Sequence, residues 1–138
     1  MEQPTSDKIE SLTERVIGCA IEVHRALGPG LLESVYRDCM LIETRLMGLN
    51  VERERRVAIE YRGQRIPASL VLDLVIEGSV VVELKTVERI HPLHLAQVIT
   101  YLKLTGCPAG LLMNFNATSL RNGLRRLDHP TLYMAQRA

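Results

Sequence analysis

Two apolar runs separated by three residues constrain this chain more than any other feature. Leu70-Val71-Leu72-Asp73-Leu74-Val75-Ile76 and Val80-Val81-Val82-Glu83-Leu84-Lys85 each have the length and composition of a strand, and Glu77-Gly78-Ser79 between them reads as a turn. Side chains alternate along a strand, so Val81, Glu83 and Lys85 share one face and Val80, Val82 and Leu84 the other. By the same rule Val71, Asp73 and Val75 line one face of the first strand. Turn length decides whether the acids meet. A three-residue loop pairs Ile76 with Val80 and sets Asp73 opposite Glu83, whereas a two-residue loop shifts the pairing by one and can send the acids to opposite faces.

In the first register the two Cβ atoms lie roughly 4.5–5.5 Å apart, close enough for like charges to repel. Two carboxylates among valines and leucines are costly to desolvate unless something positive joins them. Lys85, one pleat further along the same face, is one candidate. A divalent cation is the other, since hard cations such as Mg²⁺ take oxygen ligands. A plainer reading is a structural ion pair of Glu83 or Asp73 with Lys85 at an exposed sheet end, and Glu-x-Lys on a strand is common enough to leave both open.

The rest of the chain predicts what surrounds these strands. Asp7 with Glu10 resembles a capping pair opening a first helix, along which Ile9, Leu12, Val16, Cys19, Val23 and Ala26 recur at helical spacing. Gly28-Pro29-Gly30 stops it. A second helix is predicted from about Leu31 to Met47, with Leu32, Val35, Cys39, Ile42 and Leu46 as its apolar stripe and Gly48 closing it. Glu33, a first-turn acid favourable to the helix dipole, and Tyr36 lie on a neighbouring face. Strands follow around Val57–Tyr61, Ile66–Ile76 and Ser79–Thr86. Pro92 opens a third helix running to Thr105, on which His94, Gln97 and Tyr101 share a face. Ala109 to Phe115 reads as a buried fourth strand, and Leu120, Leu124 and Leu127 as a final short helix. The tail after Asp128 carries no clear periodicity, although Thr131–Met134 has the makings of a small strand. One mixed sheet flanked by helices accounts for this α/β order.

Composition narrows the functional classes. At 138 residues the chain is predicted to form one domain, with a core of about residues 7–127, able to bury roughly 68% of its unfolded surface. With 46% hydrophobic and 24% charged residues it resembles an ordinary soluble globular protein. The net charge of +1 supplies no overall field toward nucleic acid, so such binding must use a local patch. Arg53, Arg55 and Arg56 alternate with Glu52 and Glu54 like a solvated strand face, while Arg121 and Arg125 lie on one side of the final helix and offer a small patch. Cys19, Cys39 and Cys107 are too few and scattered for a disulfide framework or zinc knuckle. The opening Met1-Glu2-Gln3-Pro4-Thr5 has neither the positive start nor the apolar core of a signal peptide, and no run reaches membrane-spanning length. A cytoplasmic location without membrane association is expected.

Several motifs together resemble a known family. Gly30-Leu31-Leu32-Glu33-Ser34-Val35-Tyr36 fits the GxxExxY signature that names a family of small bacterial and archaeal proteins. His24-Arg25-Ala26-Leu27-Gly28-Pro29-Gly30, Tyr101-Leu102-Lys103-Leu104-Thr105-Gly106 and Asn114-Phe115-Asn116 look like that family too, and the resemblance covers roughly residues 9 to 127. That family is assigned to the PD-(D/E)XK nuclease superfamily, so the resemblance implies a restriction-endonuclease-like αβββαβ core. It implies that Asp73 is the superfamily's aspartate, Glu83-Leu84-Lys85 its E-x-K element and Glu33 the extra acid on the preceding helix. Gln97 and Tyr101 resemble the Q-x-x-x-Y motif of the RecB-type exonuclease branch. Leu72, not proline, precedes Asp73.

The implied activity is metal-dependent hydrolysis of phosphodiester bonds, in DNA first and RNA second. Mg²⁺ or Mn²⁺ held by Asp73, Glu83 and the Leu84 carbonyl, joined by Glu33, would supply Lewis acidity and a water of lowered pKa. Lys85 would orient or deprotonate that water or stabilise the pentavalent phosphate, with Gln97, Tyr101 and Tyr36 facing substrate, or Gln97 and Tyr101 buttressing the metal shell. His94 shares the face of Gln97 and Tyr101 and could contact phosphate, but a helix-start histidine is more often merely solvated, and His24 and His91 show no metal-ligand spacing. Fold membership alone does not establish activity, so a non-catalytic nucleic-acid-binding or assembly module, working as a homo-oligomer or with a protein partner, is the alternative. Hydrolysis of a small phosphate is a third reading, but Gly28-Pro29-Gly30 lacks the spacing and lysine of a phosphate loop.

Overall fold

The computed structural model describes residues 4–132. Its elements run α1 (Ser6–Leu27), α2 (Glu33–Leu46), β1 (Val51–Tyr61), β2 (Gln64–Ile76), β3 (Val80–Lys85), α3 (Pro92–Thr105), β4 (Ala109–Asn114), a 3-10 turn (Leu120–Gly123) and β5 (Leu124–Asp128). The five strands lie in sequence order in one mixed sheet. Only β3 and β4 are parallel, joined by the crossover helix α3, and the other neighbours are antiparallel. This is an α/β architecture consistent with the restriction-endonuclease-like fold.

Central strands explain the long apolar runs. Val80, Val81, Val82 and Leu84 are fully buried because β3 is covered on both faces. Val80, Val82, Leu84, Leu111 and Met113 pack against α1 and α2, whereas Val81 and Leu112 pack against Val98 and Leu102 of α3. Gly110 lets α3 approach, since a Cβ there would stand 2.8 Å from Val98 Cγ1.

Several expectations change in the structure. The first helix is capped by Thr5, whose hydroxyl accepts from the Lys8 amide, not by Asp7. Along α2 the core takes Tyr36, Met40, Leu41 and Thr44, while Leu32, Ile42 and Leu46 of the predicted stripe are 74%, 59% and 76% exposed. The helix is rotated because the Tyr36 ring stacks on Phe115 at 4.6 Å and claims the inward face. The predicted final helix is instead the 3-10 turn followed by β5, antiparallel to β4. Leu124 and Leu127 are three apart, and on a strand that spacing sends them to opposite faces: one packs with the α1 side, the other with the α3 side. The predicted small strand at Thr131–Met134 lies partly outside the described residues, and Thr131 and Leu132 are in a turn.

One buried polar residue fixes the loop after β3. Asn114 Oδ1 accepts from the Val87 and Asn116 amides at 3.1 and 3.2 Å, and its Nδ2 donates to the Val87 carbonyl at 2.8 Å. Removing these bonds leaves half-buried backbone groups to be rehydrated. Asn114→Ala is therefore expected to cost about 2 kcal/mol, read as a lowered denaturation midpoint with unchanged slope.

Candidate active site

The turn at Glu77-Gly78-Ser79 has three residues, and Ile76 pairs with Val80, Val75 with Val81 and Leu74 with Val82. Past Leu74 the ladder opens and side chains take over its hydrogen bonds. The Asp73 amide donates to Glu83 Oε1 at 3.0 Å, and the Leu84 amide donates to Asp73 Oδ2 at 2.9 Å. Each acid thus satisfies a backbone donor exposed by the parting strands, which lowers the penalty for burying it. Simple alternation along the first run does not hold through this point. Leu70 and Leu72 join the α3 side together with Val75, so the strand turns over at Asp73. Glu54, at the matching level of β1, has a left-handed φ of 51°.

Burial and mutual repulsion leave a clear electrostatic mark. Glu83 is 4% exposed, and desolvation first, then the charge of Asp73, pushes its carboxyl up to about 8. Glu33, the first residue of α2, is raised by burial and then by Asp73, against the pull of Lys85 and Arg37. Burial followed by Glu83 and Asp73 lifts the Tyr101 hydroxyl to about 12. Glu33 and Glu83 each feel the charges of Asp73 and Lys85, and Tyr101 feels those of the two strand acids. Lys85 ends β3, level with Asn114, and its carbonyl accepts the Phe115 amide at 2.9 Å. Its side chain lines an open cavity of about 430 Å³ with Leu93, His94, Ala96, Gln97 and Thr100 of α3. Gln97 therefore shares a cavity with Lys85, and His94 accepts the His91 amide as part of the α3 cap.

Tyr36 stands apart from this group. It is fully buried; its hydroxyl donates to the Gly28 carbonyl at 2.5 Å and accepts the Leu31 amide at 3.2 Å. Those bonds clamp the glycine-proline loop and so set where α2 begins, with Glu33 at its head. Leu84 is buried in the strand interior with its amide committed to Asp73.

A residue not anticipated from sequence completes the site. Arg37, one helical turn after Glu33, donates to Asp73 Oδ1 at 3.1 Å and reaches Glu54 at 3.4 Å. The i, i+4 spacing from Glu33 is visible in the chain, but the contact to Asp73 spans 36 residues and depends on how α2 is rotated.

The oxygen donors of Asp73, Glu83 and Glu33 suit a hard divalent cation. Among the described residues, however, no three acid, histidine or cysteine side chains already stand together as a ligand cluster. The reason is local. Asp73 is drawn between Arg37 and the Leu84 amide, and Glu83 toward the Asp73 amide, so the guanidinium supplies the counter-charge.

This sheet, with an acid at the parting of two strands and an acid-x-lysine on the next, defines a class. The profile of the PD-(D/E)XK nuclease superfamily matches residues 10–127, most of the chain. The chain belongs to the PD-(D/E)XK nuclease superfamily. Comparison with curated proteins and with solved structures gave no match. No helix among the described residues is long and apolar enough to cross a membrane.

Proposed function

We propose that the chain is a metal-dependent nuclease that hydrolyses phosphodiester bonds of DNA, with RNA as the second substrate, and that it is a GxxExxY-type member of its superfamily. The observation that supports this best is the reciprocal contact of Asp73 and Glu83 at the open end of the β2–β3 ladder, two residues from Lys85, which lines the α3 cavity. Asp73, Glu83 and the Leu84 carbonyl would hold Mg²⁺ or Mn²⁺, with Glu33 moving in as a further donor. When bound, the ion supplies Lewis acidity toward the phosphoryl oxygens and lowers the pKa of a bound water.

The protein's own groups do the rest. Lys85 presents its ammonium to the phosphate in the cavity, where it offsets charge that develops on the phosphoryl oxygens. Gln97 offers amide donors to the substrate backbone from the facing helix. Tyr101 keeps its proton at neutral pH and serves as a donor close to the acids. Tyr36 acts on the reaction only through the loop it clamps.

Hydrolysis of single- and double-stranded DNA and of RNA, with Mg²⁺ or Mn²⁺ present, tests the reading. Cleavage is expected to need the metal and to vanish in Glu83→Gln; a variant as active as the parent refutes the assignment.

Arg37 provides a test independent of turnover. Removing a guanidinium from a largely buried carboxylate is expected to cost about 2–3 kcal/mol, below the full penalty for a buried pair because both partners keep some solvent. With Arg37→Ala, Mn²⁺ becomes the main counter-charge for Asp73. Added Mn²⁺ should therefore raise the melting temperature of the variant more than that of the parent.

A second reading, a non-catalytic assembly module on this fold, is favoured by the exposed apolar side chains Leu32, Ile42 and Leu46 along α2. Titration with Mg²⁺ separates the two. Carboxylate-dependent binding favours catalysis, and absent binding with a stable homo-oligomer favours assembly.

A further inference from the structure

Beyond β4 the chain passes over the last turns of α1 and encloses an open cavity of about 350 Å³. Its polar wall consists of His24 and Arg25 from α1, with Thr118, Ser119 and Arg121 from the segment that leads into and through the 3-10 turn. Among the described residues no carboxylate lines it. Arg121 is exposed and has no ion-pair partner among the described residues. Among the described residues Arg25 is paired with Glu22, 3.1 Å away, in an exposed pair that a stronger anion readily displaces.

The cavity is preformed. His24 donates from Nε2 to the Ala117 carbonyl at 2.8 Å, which ties the 117–119 segment to α1. It also lies at the same end of the sheet as the candidate active site. Lys85 and Asn114 are level in the parallel β3–β4 pair, and the Phe115 amide is bonded to the Lys85 carbonyl. Beneath it Phe115 packs between Tyr36 and His24, with ring centroids 4.6 and 6.1 Å away.

We propose that this cavity is a phosphate subsite for the substrate strand. It takes a backbone phosphate a few nucleotides from the bond that is cut, on the guanidiniums of Arg25 and Arg121 and the hydroxyls of Thr118 and Ser119. Forked guanidiniums and hydroxyl donors match the tetrahedral oxygens of a phosphodiester. A chain with a net charge of only +1 gains in this way a local grip on a polyanion. The inference rests on the nuclease reading, since it assigns the strand that Lys85 acts upon.

The test is fluorescence anisotropy with a single-stranded DNA oligonucleotide, using the full chain carrying Lys85→Ala so that the probe stays intact. Adding Arg121→Ala or Arg25→Ala should weaken binding several-fold at moderate salt and reduce the slope of log K against log salt by about 0.7 for each phosphate that is no longer neutralised. Arg125→Ala removes an equal charge nearby, from a side chain turned to the Asn122 and Leu124 carbonyls, and should leave the slope unchanged. Slopes and affinities that match the parent in both Arg25→Ala and Arg121→Ala overturn the subsite, as does failure of the parent to bind the oligonucleotide. An equal drop in slope in Arg125→Ala overturns it too, because it would report charge alone. Hydrolysis by the parent of a small phosphodiester too short to reach the cavity reads the nuclease assignment separately from the subsite.

Discussion

Replacing Lys85 by alanine is expected to slow phosphodiester hydrolysis by about 10³-fold while leaving Mn²⁺ binding largely intact. The magnitude is that of losing one preorganised charge at the developing phosphoryl negative charge, or one proton-transfer group. Retention of metal binding follows from position. Lys85 lines the α3 cavity, whereas the carboxylates are held by the Leu84 and Asp73 amides and by Arg37. Parallel measurement of turnover and of Mn²⁺ affinity by calorimetry separates the two roles. If turnover survives in Lys85→Ala, the lysine is only a counter-charge for the acids.

The second large effect is on stability. A carboxyl raised from its ordinary value to about 8 in the folded chain keeps its proton where the unfolded chain has lost it. Between about pH 4.5 and 8 the unfolded state therefore binds fewer protons than the folded one. Stability of the metal-free protein should accordingly be greatest at the acid end of this window and fall as pH rises through it, by up to about 1.4 kcal/mol per unit from this group. Glu83→Gln keeps an acceptor for the Asp73 amide but carries no titrating group. Its denaturation midpoint should be flatter across the window and higher than the parent's at pH 8. Metal changes the sign of the trend, because binding takes the deprotonated acid and releases the proton. Mg²⁺ affinity should climb with pH up to about 8 and level off above it, and saturating Mg²⁺ should remove the alkaline loss of stability. Denaturant titrations from pH 5 to 9, with and without Mg²⁺, measure both curves.

Much of this arrangement is legible in the chain because the strongest signals are local. The apolar runs flanking Glu77-Gly78-Ser79 mark a hairpin with a loop of two or three residues, and the three-residue loop found sets Ile76 against Val80. Pro92 and Gly106 bracket α3, so Lys85, Gln97 and Tyr101 could be placed on facing elements. What sequence misses is decided by tertiary competition. The α2 stripe of Leu32, Ile42 and Leu46 is more aliphatic than the face that is buried, yet stacking of Tyr36 on Phe115 turns the helix the other way. That rotation also brings Arg37 to Asp73, a contact no periodicity reveals. Leu120, Leu124 and Leu127 fit a helix and a strand equally well, and pairing with β4 decides for the strand. The reversal of alternation at Asp73 is equally invisible, since it follows from the opening of the ladder that the two acids themselves fill.

The acids at the parted strands have meaning as a pair only if a cation can take the place that Arg37 now fills. Calorimetric titration of the intact chain with Mn²⁺ at pH 8, beside Asp73→Asn, addresses this most directly. Saturable binding by the parent, abolished or weakened at least tenfold in the variant, is the predicted result. Equal binding by both, or none by the parent, would show that Asp73 and Glu83 serve the sheet and not a metal.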